Sequence, residues 1–231
     1  MRAYDSARPL VFIHVPKTAG TSVQAVFRRW YGSRLATHYF DQDAALMPVR
    51  SPLFDKHTAA SPTCIYGHFN RFRGFGTEVN YPDATQFMTI LRDPFEMTCS
   101  RYHFLKSKAP YWKDQTRIPT SNLAEFLLTT PPNMLNHFPV PITWDNYKAV
   151  MQEHFVGIGI MEKLAASLSR FARTIGVHFD PTMLQHLNVT SSKSHDGDIL
   201  EMRRLFIEQY ALEQAVYVYA CELFAAETDE V

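Results

Sequence analysis

Four short runs of apolar residues stand apart along the chain, each closed by small or polar positions. Pro9-Leu-Val-Phe-Ile-His-Val15 is apolar at almost every position, the composition of a strand buried on both faces. Thr63 to Phe69, Thr85 to Leu91 and Phe155 to Ile160 read the same way, the first bounded by Pro62 and the turn-forming Asn70-Arg71. Between these runs the period lengthens to that of a helix. Val23, Val26 and Phe27 fall on one face of a segment from Gly20 to Trp30. Asp93-Pro94 supplies a cap and a proline for the first helical position, predicting a helix from Pro94 to about Lys108. Glu162 to Ile175 is amphipathic and ended by Gly176, and Ile199 to Ala225 predicts one or two C-terminal helices.

Two stretches carry no such period. Residues 41–62 read as irregular. Residues 109–145 are rich in proline around one short amphipathic segment, Asn122 to Leu128, and read as a loop-rich excursion of the kind that shapes substrate pockets. Strands alternating with helices predict an α/β fold, with a central, mostly parallel sheet and helices on both faces. One domain is expected over residues 1–231. In such sheets ligands bind beyond the carboxyl ends of the strands, so the ends at Val15 and Leu91 are the ones to watch.

Both ends carry candidate chemistry. Pro16-Lys-Thr-Ala-Gly-Thr-Ser22 is a loop of small residues that opens a helix. It would present backbone N–H groups to an anion, with the helix N-terminus and Lys17 adding positive potential. A Walker A loop has its lysine after a second glycine, whereas Lys17 precedes Gly20, which disfavours a nucleotide triphosphatase or a P-loop kinase. After the other strand, Arg92 leaves the sheet and Ser100 lies about two turns into the next helix. A guanidinium fork and a hydroxyl there can hold a second phosphate.

Composition narrows the partners. At 231 residues, with 46% hydrophobic and 20% charged positions, the chain can bury a full α/β core. Its formal charge is zero, so no nucleic-acid partner is expected. Cys64, Cys99 and Cys221 are widely spaced and read as reduced, buried thiols rather than a disulfide framework or a zinc site. The N-terminal apolar run is too short for a membrane span and lacks a signal-peptide pattern, so a cytoplasmic location is expected, with a Golgi lumenal catalytic domain as the alternative.

Pro16 to Ser22 resembles the 5′-phosphosulfate loop of the sulfotransferases that use 3′-phosphoadenosine-5′-phosphosulfate (PAPS), and Arg92-Asp-Pro with Ser100 resembles their 3′-phosphate motif. The resemblance is nearest to the heparan sulfate and uronyl 2-O-sulfotransferase branch and its bacterial relatives. Tyr66-Gly-His-Phe-Asn-Arg-Phe72 resembles the segment with that branch's catalytic histidine, Ser100 to Leu105 its aromatic-rich helix, Phe155 to Glu162 its later strand and following acid, and His186 to Lys193 its nucleotide-closing loop. The resemblance implies a P-loop-like three-layer sandwich and PAPS as donor, with adenosine 3′,5′-bisphosphate as product and no metal. It implies donor contacts from Lys17, Thr18, Ala19, Gly20, Thr21, Ser22, Arg92, Ser100, Thr190 and Lys193. Lys17 would also be catalytic, and His68 would take the proton of an acceptor hydroxyl on a carbohydrate or carbohydrate-like molecule. His14 and His103 are weaker candidates for that base. Tyr111, Trp112, Phe138, Trp144 and Tyr147 could stack on sugar rings, although ordinary packing is the simpler role for each. Two departures from the resemblance stand out: Glu213 occupies a place where aspartate is expected, and residues 109–145 resemble no named segment of that branch.

Overall fold

Side chains alternate across the strand Leu10–Ile13 (β1), and both sets are buried. Leu10 and Phe12 enter one apolar cluster, Val11 and Ile13 another. A strand buried on both faces needs cover on both sides, and the rest of the chain supplies it. A computed structural model describes residues 1–41, 45–111, 114–184 and 198–226. After β1 come α1 (Gly20–Tyr31), β2 (Leu35–His38), α2 (Pro52–Asp55), β3 (Cys64–Gly67), α3 (Thr77–Asn80), β4 (Phe87–Leu91) and α4 (Pro94–Lys108). The second half adds α5 (Leu123–Thr129), α6 (Tyr147–His154), β5 (Phe155–Ile160), α7 (Leu164–Ile175), α8 (Asp198–Gln209) and α9 (Ala211–Ala226), with short 3₁₀ turns between elements.

The sheet has the order β2-β3-β1-β4-β5, and every neighbouring pair is parallel. On one face Phe12 stacks on Tyr66 at 4.7 Å between ring centroids and meets Phe27 of α1 at 4.6 Å. Leu168 and Phe171 of α7 complete that layer. The opposite face packs on α6 through Val150 and Met151 and on α9 through Val216, Ala220 and Phe224. A smaller cluster of Phe95, Cys99, Leu127 and Phe206 joins α4, α5 and α8. The result is the three-layer α/β sandwich expected from the alternating pattern.

The helices end where local chemistry says they should. Asp93 accepts a hydrogen bond from the Glu96 N–H at 3.0 Å and Pro94 follows it, so α4 starts at its predicted residue. Gly176, at φ 73°, closes α7 with its N–H turned back to the carbonyls of Ala172 and Arg173. The C-terminal stretch resolves into two helices, α8 and α9.

Four features depart from the sequence reading. The edge strand β2 and the helices α3 and α6 were not foreseen, and α2 lies inside the stretch read as irregular. Each is short, with only two or fewer buried apolar side chains among its own residues, too few to make a period visible. Cys64 and Cys99 are buried, but Cys221 is half-buried. Burial raises all three thiols, Cys99 to about 12, so they are poor nucleophiles.

Candidate active site

Strand order brings the site together. β1 lies between β3 and β4 and runs parallel to both, with Ile13 level with Gly67 on one side and Thr89 on the other. The residues that follow these three strands therefore leave the sheet at one edge. The Lys17 loop is central, the His68 segment is on one flank and Arg92 on the other.

The loop after β1 is held in an uncommon backbone shape. Lys17 and Ala19 have φ of 70° and 58°, left-handed values that cost a non-glycine residue on the order of 1–3 kcal/mol. Alternation of hand about Thr18 turns successive N–H groups toward one side, the geometry of an anion-binding nest. The buried Thr18 hydroxyl donates to the Val15 carbonyl at 2.8 Å, so the side chain braces the loop and the backbone N–H remains for a ligand. Thr21 is exposed and Ser22 buried on the first turn of α1. No side chain caps that turn and no acidic residue lies in it, whereas α4, beginning at the same sheet edge, is capped by Asp93. Of these two helix N-termini, α1 keeps its N–H groups and positive end for an anion.

Two cations border this cradle. Arg92 donates from Nη1 to the Lys17 carbonyl at 3.2 Å, and Lys17 Nζ sits 4.2 Å from the centre of the Phe104 ring. Burial lowers the Lys17 pKa, with Arg92 and Lys108 adding like-charge repulsion. Asp93 does not neutralise them, because its carboxylate pairs with Arg203 at 2.5 Å. Among the described residues no carboxylate pairs with Lys17 or Arg92. Glu96, Ser100, Phe104 and Lys108 recur every four residues along α4, so Ser100 lies one turn from the ring that carries Lys17.

His68 opens the segment after β3. Its Nδ1 donates to the His14 carbonyl at 2.6 Å, which fixes the tautomer and leaves the Nε2 lone pair to accept a proton. The ring stacks on His14 at 4.4 Å, meets Tyr39 edge-on at 4.9 Å and lies 5.7 Å from His137. Burial pushes His68 down to about 4, the Arg73 guanidinium adds to the shift and the hydrogen bond to His14 opposes it. His137 falls to about 3 through burial and then the proximity of His68. His14 also lies well below the ordinary imidazole value, by burial first and then by His68. At neutral pH the three rings are uncharged. No group of three or more His, Cys, Asp or Glu side chains among the described residues is arranged to hold a metal ion.

The structure thus joins Lys17, Ala19, Gly20, Arg92 and His68, with Thr18, Ser22 and Ser100 on the same elements. Thr190 and Lys193 lie outside the described residues, as does Trp112. His103 is exposed on α4. Phe138 is a core residue, whereas Tyr111 and Trp144 are exposed; Tyr147 meets Trp144 and Tyr219 edge-on.

Sequence reasoning missed Tyr39, Asn70 and His137. The amide nitrogens of Asn70 and Asn133 come within 3.5 and 3.4 Å of His137 Nε2, which ties the excursion to the segment after β3. Beneath that turn the buried Glu213 accepts from the Leu135 N–H at 3.4 Å, and burial raises its carboxyl to about 8. Nothing in the spacing of these residues marks them.

A model described as the sulfotransferase family matches residues 3–209. Among solved structures, the mouse sulfotransferase SULT7A1 complexed with PAP is 14% identical, with a TM-score of 0.52 over 94% of this chain and 90% of that one. A sulfotransferase from Alicyclobacillus acidocaldarius is 15% identical, with a TM-score of 0.48 over 91% of this chain and 96% of that one. The mouse protein shares the fold. No curated protein matches the chain. No helix among the described residues is long and apolar enough to cross a membrane.

Proposed function

This chain belongs to the sulfotransferase family, and we propose that it moves the sulfuryl group of PAPS onto a hydroxyl of a carbohydrate or carbohydrate-like acceptor. One observation carries the reading: an uncapped helix N-terminus, flanked by Lys17 and Arg92 that pair with no carboxylate among the described residues, stands next to a neutral histidine whose Nδ1 proton is engaged and whose Nε2 lone pair can accept. An anionic donor and a hydroxyl nucleophile need those two neighbours.

The residues fit the donor's charges. The N–H groups of residues 17–20 and the Lys17 ammonium would hold the 5′-phosphosulfate, while Arg92 and Ser100 would hold the 3′-phosphate. His68 Nε2 takes the acceptor proton as the hydroxyl oxygen bonds to sulfur. Lys17 and the loop stabilise the electron pair that passes to the departing phosphate oxygen. With His68 at about 4 in the free protein, the nearby anionic donor raises its basicity, because an opposite charge favours the imidazolium. No step calls for a metal. The carbohydrate acceptor rests on the resemblance in the sequence and on the exposed rings of Tyr111 and Trp144, 80% and 57% accessible, which suit the apolar face of a sugar.

Calorimetric titration with adenosine 3′,5′-bisphosphate tests the donor site. Tight binding by the wild type and its loss in Arg92→Ala are expected, with ATP and AMP binding weakly. Absence of binding, or equal binding of ATP, would sink the reading.

A further inference from the structure

One residue touches both the cradle and the base. His14 follows β1 directly, and its carbonyl accepts the His68 Nδ1 proton while its ring stacks on the His68 ring. The same ring fills the space over Gly20, the first residue of α1. A methyl carbon at Gly20 would stand 1.8 Å from His14 Nε2, and the three nearest atoms all belong to that ring. Tyr39 OH meets His14 Nδ1 at 2.9 Å, and Tyr66 OH donates to the Gly20 carbonyl at 3.0 Å. The reaction as derived uses neither ring nitrogen of His14.

We propose that His14 is a positioning residue that couples the anion cradle to the base, so that a displacement of the loop at Gly20 is passed through the His14 ring to His68. Close packing is the physical reason: a side chain in contact on both sides cannot take up a movement on one side without transmitting it. The coupling rests on the proposed roles of the cradle and of His68. The groups facing His68 are His14 from the end of β1, Tyr39 after β2, Arg73 after β3 and His137 from the excursion. Those facing His14 among the described residues are His68, His137, Lys17, Tyr39 and Tyr66. No carboxylate is among them, so a repacking of His14 registers in the titration of His68 without a new ion pair to mask it.

The test is a histidine-resolved NMR titration of the full chain, wild type against Gly20→Ala, with folding monitored by far-UV circular dichroism. In the wild type His68 titrates near 4. In Gly20→Ala the displaced ring opens the stack, and the His68 midpoint moves toward the ordinary imidazole value of about 6.5. His14→Ala, which removes the ring and keeps the carbonyl, gives the same direction and decides the matter if Gly20→Ala does not fold. A folded variant whose His68 midpoint equals that of the wild type overturns the coupling. Calorimetry with adenosine 3′,5′-bisphosphate on the same samples keeps the two ideas apart. Wild type that does not bind refutes the functional reading while the NMR comparison still decides the coupling. Normal wild-type binding with an unmoved His68 midpoint in the variant refutes the coupling alone.

Discussion

The two halves of the site are built in different ways. The proposed donor half consists of two contiguous segments, residues 16–22 and 92–100, each following a strand. Its working groups are largely backbone N–H groups and charges carried within each segment, to which the fold adds the bond from Arg92 to the Lys17 carbonyl and the Arg203 partner of Asp93. The half around His68 is collected from separate regions: Tyr39 after the edge strand, Asn70 after β3, and Asn133 and His137 from the excursion. Glu213 on α9 supports the excursion from below. The difference shows which part of an active site local chain chemistry can build and which part requires a finished fold.

Removing one charge from the donor half is the most damaging change expected. Lys17→Ala should raise the barrier to transfer by ~2.7–4 kcal/mol, the scale of losing one donor to a developing oxyanion. Single-turnover kinetics with PAPS would register it as a fall in the transfer rate much larger than any fall in donor affinity. A loss below tenfold would show that the cradle works without the ammonium.

In the other half the support is sensitive to pH. Glu213 titrates near 4.5 when unfolded and near 8 when folded, so its contribution to stability is fully present below about 4.5 and is lost as pH rises to 8 and above. Glu213→Gln keeps an acceptor for the Leu135 N–H and has no proton to lose. It should stabilise the chain by roughly 1–3 kcal/mol at pH 9 and change little at pH 4, on the scale of burying an imperfectly paired charge. Urea unfolding at the two pH values measures this, and equal stability of the two proteins at pH 9 would contradict it.

The smallest effect separates the excursion from the donor half altogether. Asn122 caps α5 by accepting from the Glu125 N–H at 2.9 Å, and Asn122→Ala should cost about 1 kcal/mol of stability. Affinity for adenosine 3′,5′-bisphosphate, read by calorimetry, should stay within about twofold, since 1 kcal/mol confined to α5 does not reach the cradle. A larger change would mean that the excursion helps to shape the donor site.

Much of this architecture could be read before any coordinates. The strand from Phe155 to Ile160 and the helix from Pro94 to Lys108 appear at their predicted bounds, because an unbroken apolar run and an Asp-Pro cap are local instructions. The end at Leu91 was legible for the same reason, while the strand read to Val15 stops at Ile13. His14 was legible only as a weak candidate for the base, since alternation along the run left the direction of its side chain open. Gly20 reads in sequence as one small residue among several. Its necessity comes from the His14 ring, which stands where a side chain would be.

By itself the sequence determined the alternation of strands and helices and the small-residue loop after the first strand, and it offered Lys17, Arg92 and Ser100 as candidates for donor chemistry. The loop and each strand–helix unit depend on residues within a few positions of one another, whereas Lys17 and Arg92 are distant in the chain and meet only in the fold. Only the tertiary structure decided that β1 lies between β3 and β4, which sets His68 beside the loop, Arg92 across from it and His14 between loop and base. It alone brought His137 and Glu213 into the same neighbourhood. Contacts between residues far apart in the chain follow from strand order and close packing, and neither leaves a local pattern in the amino-acid sequence.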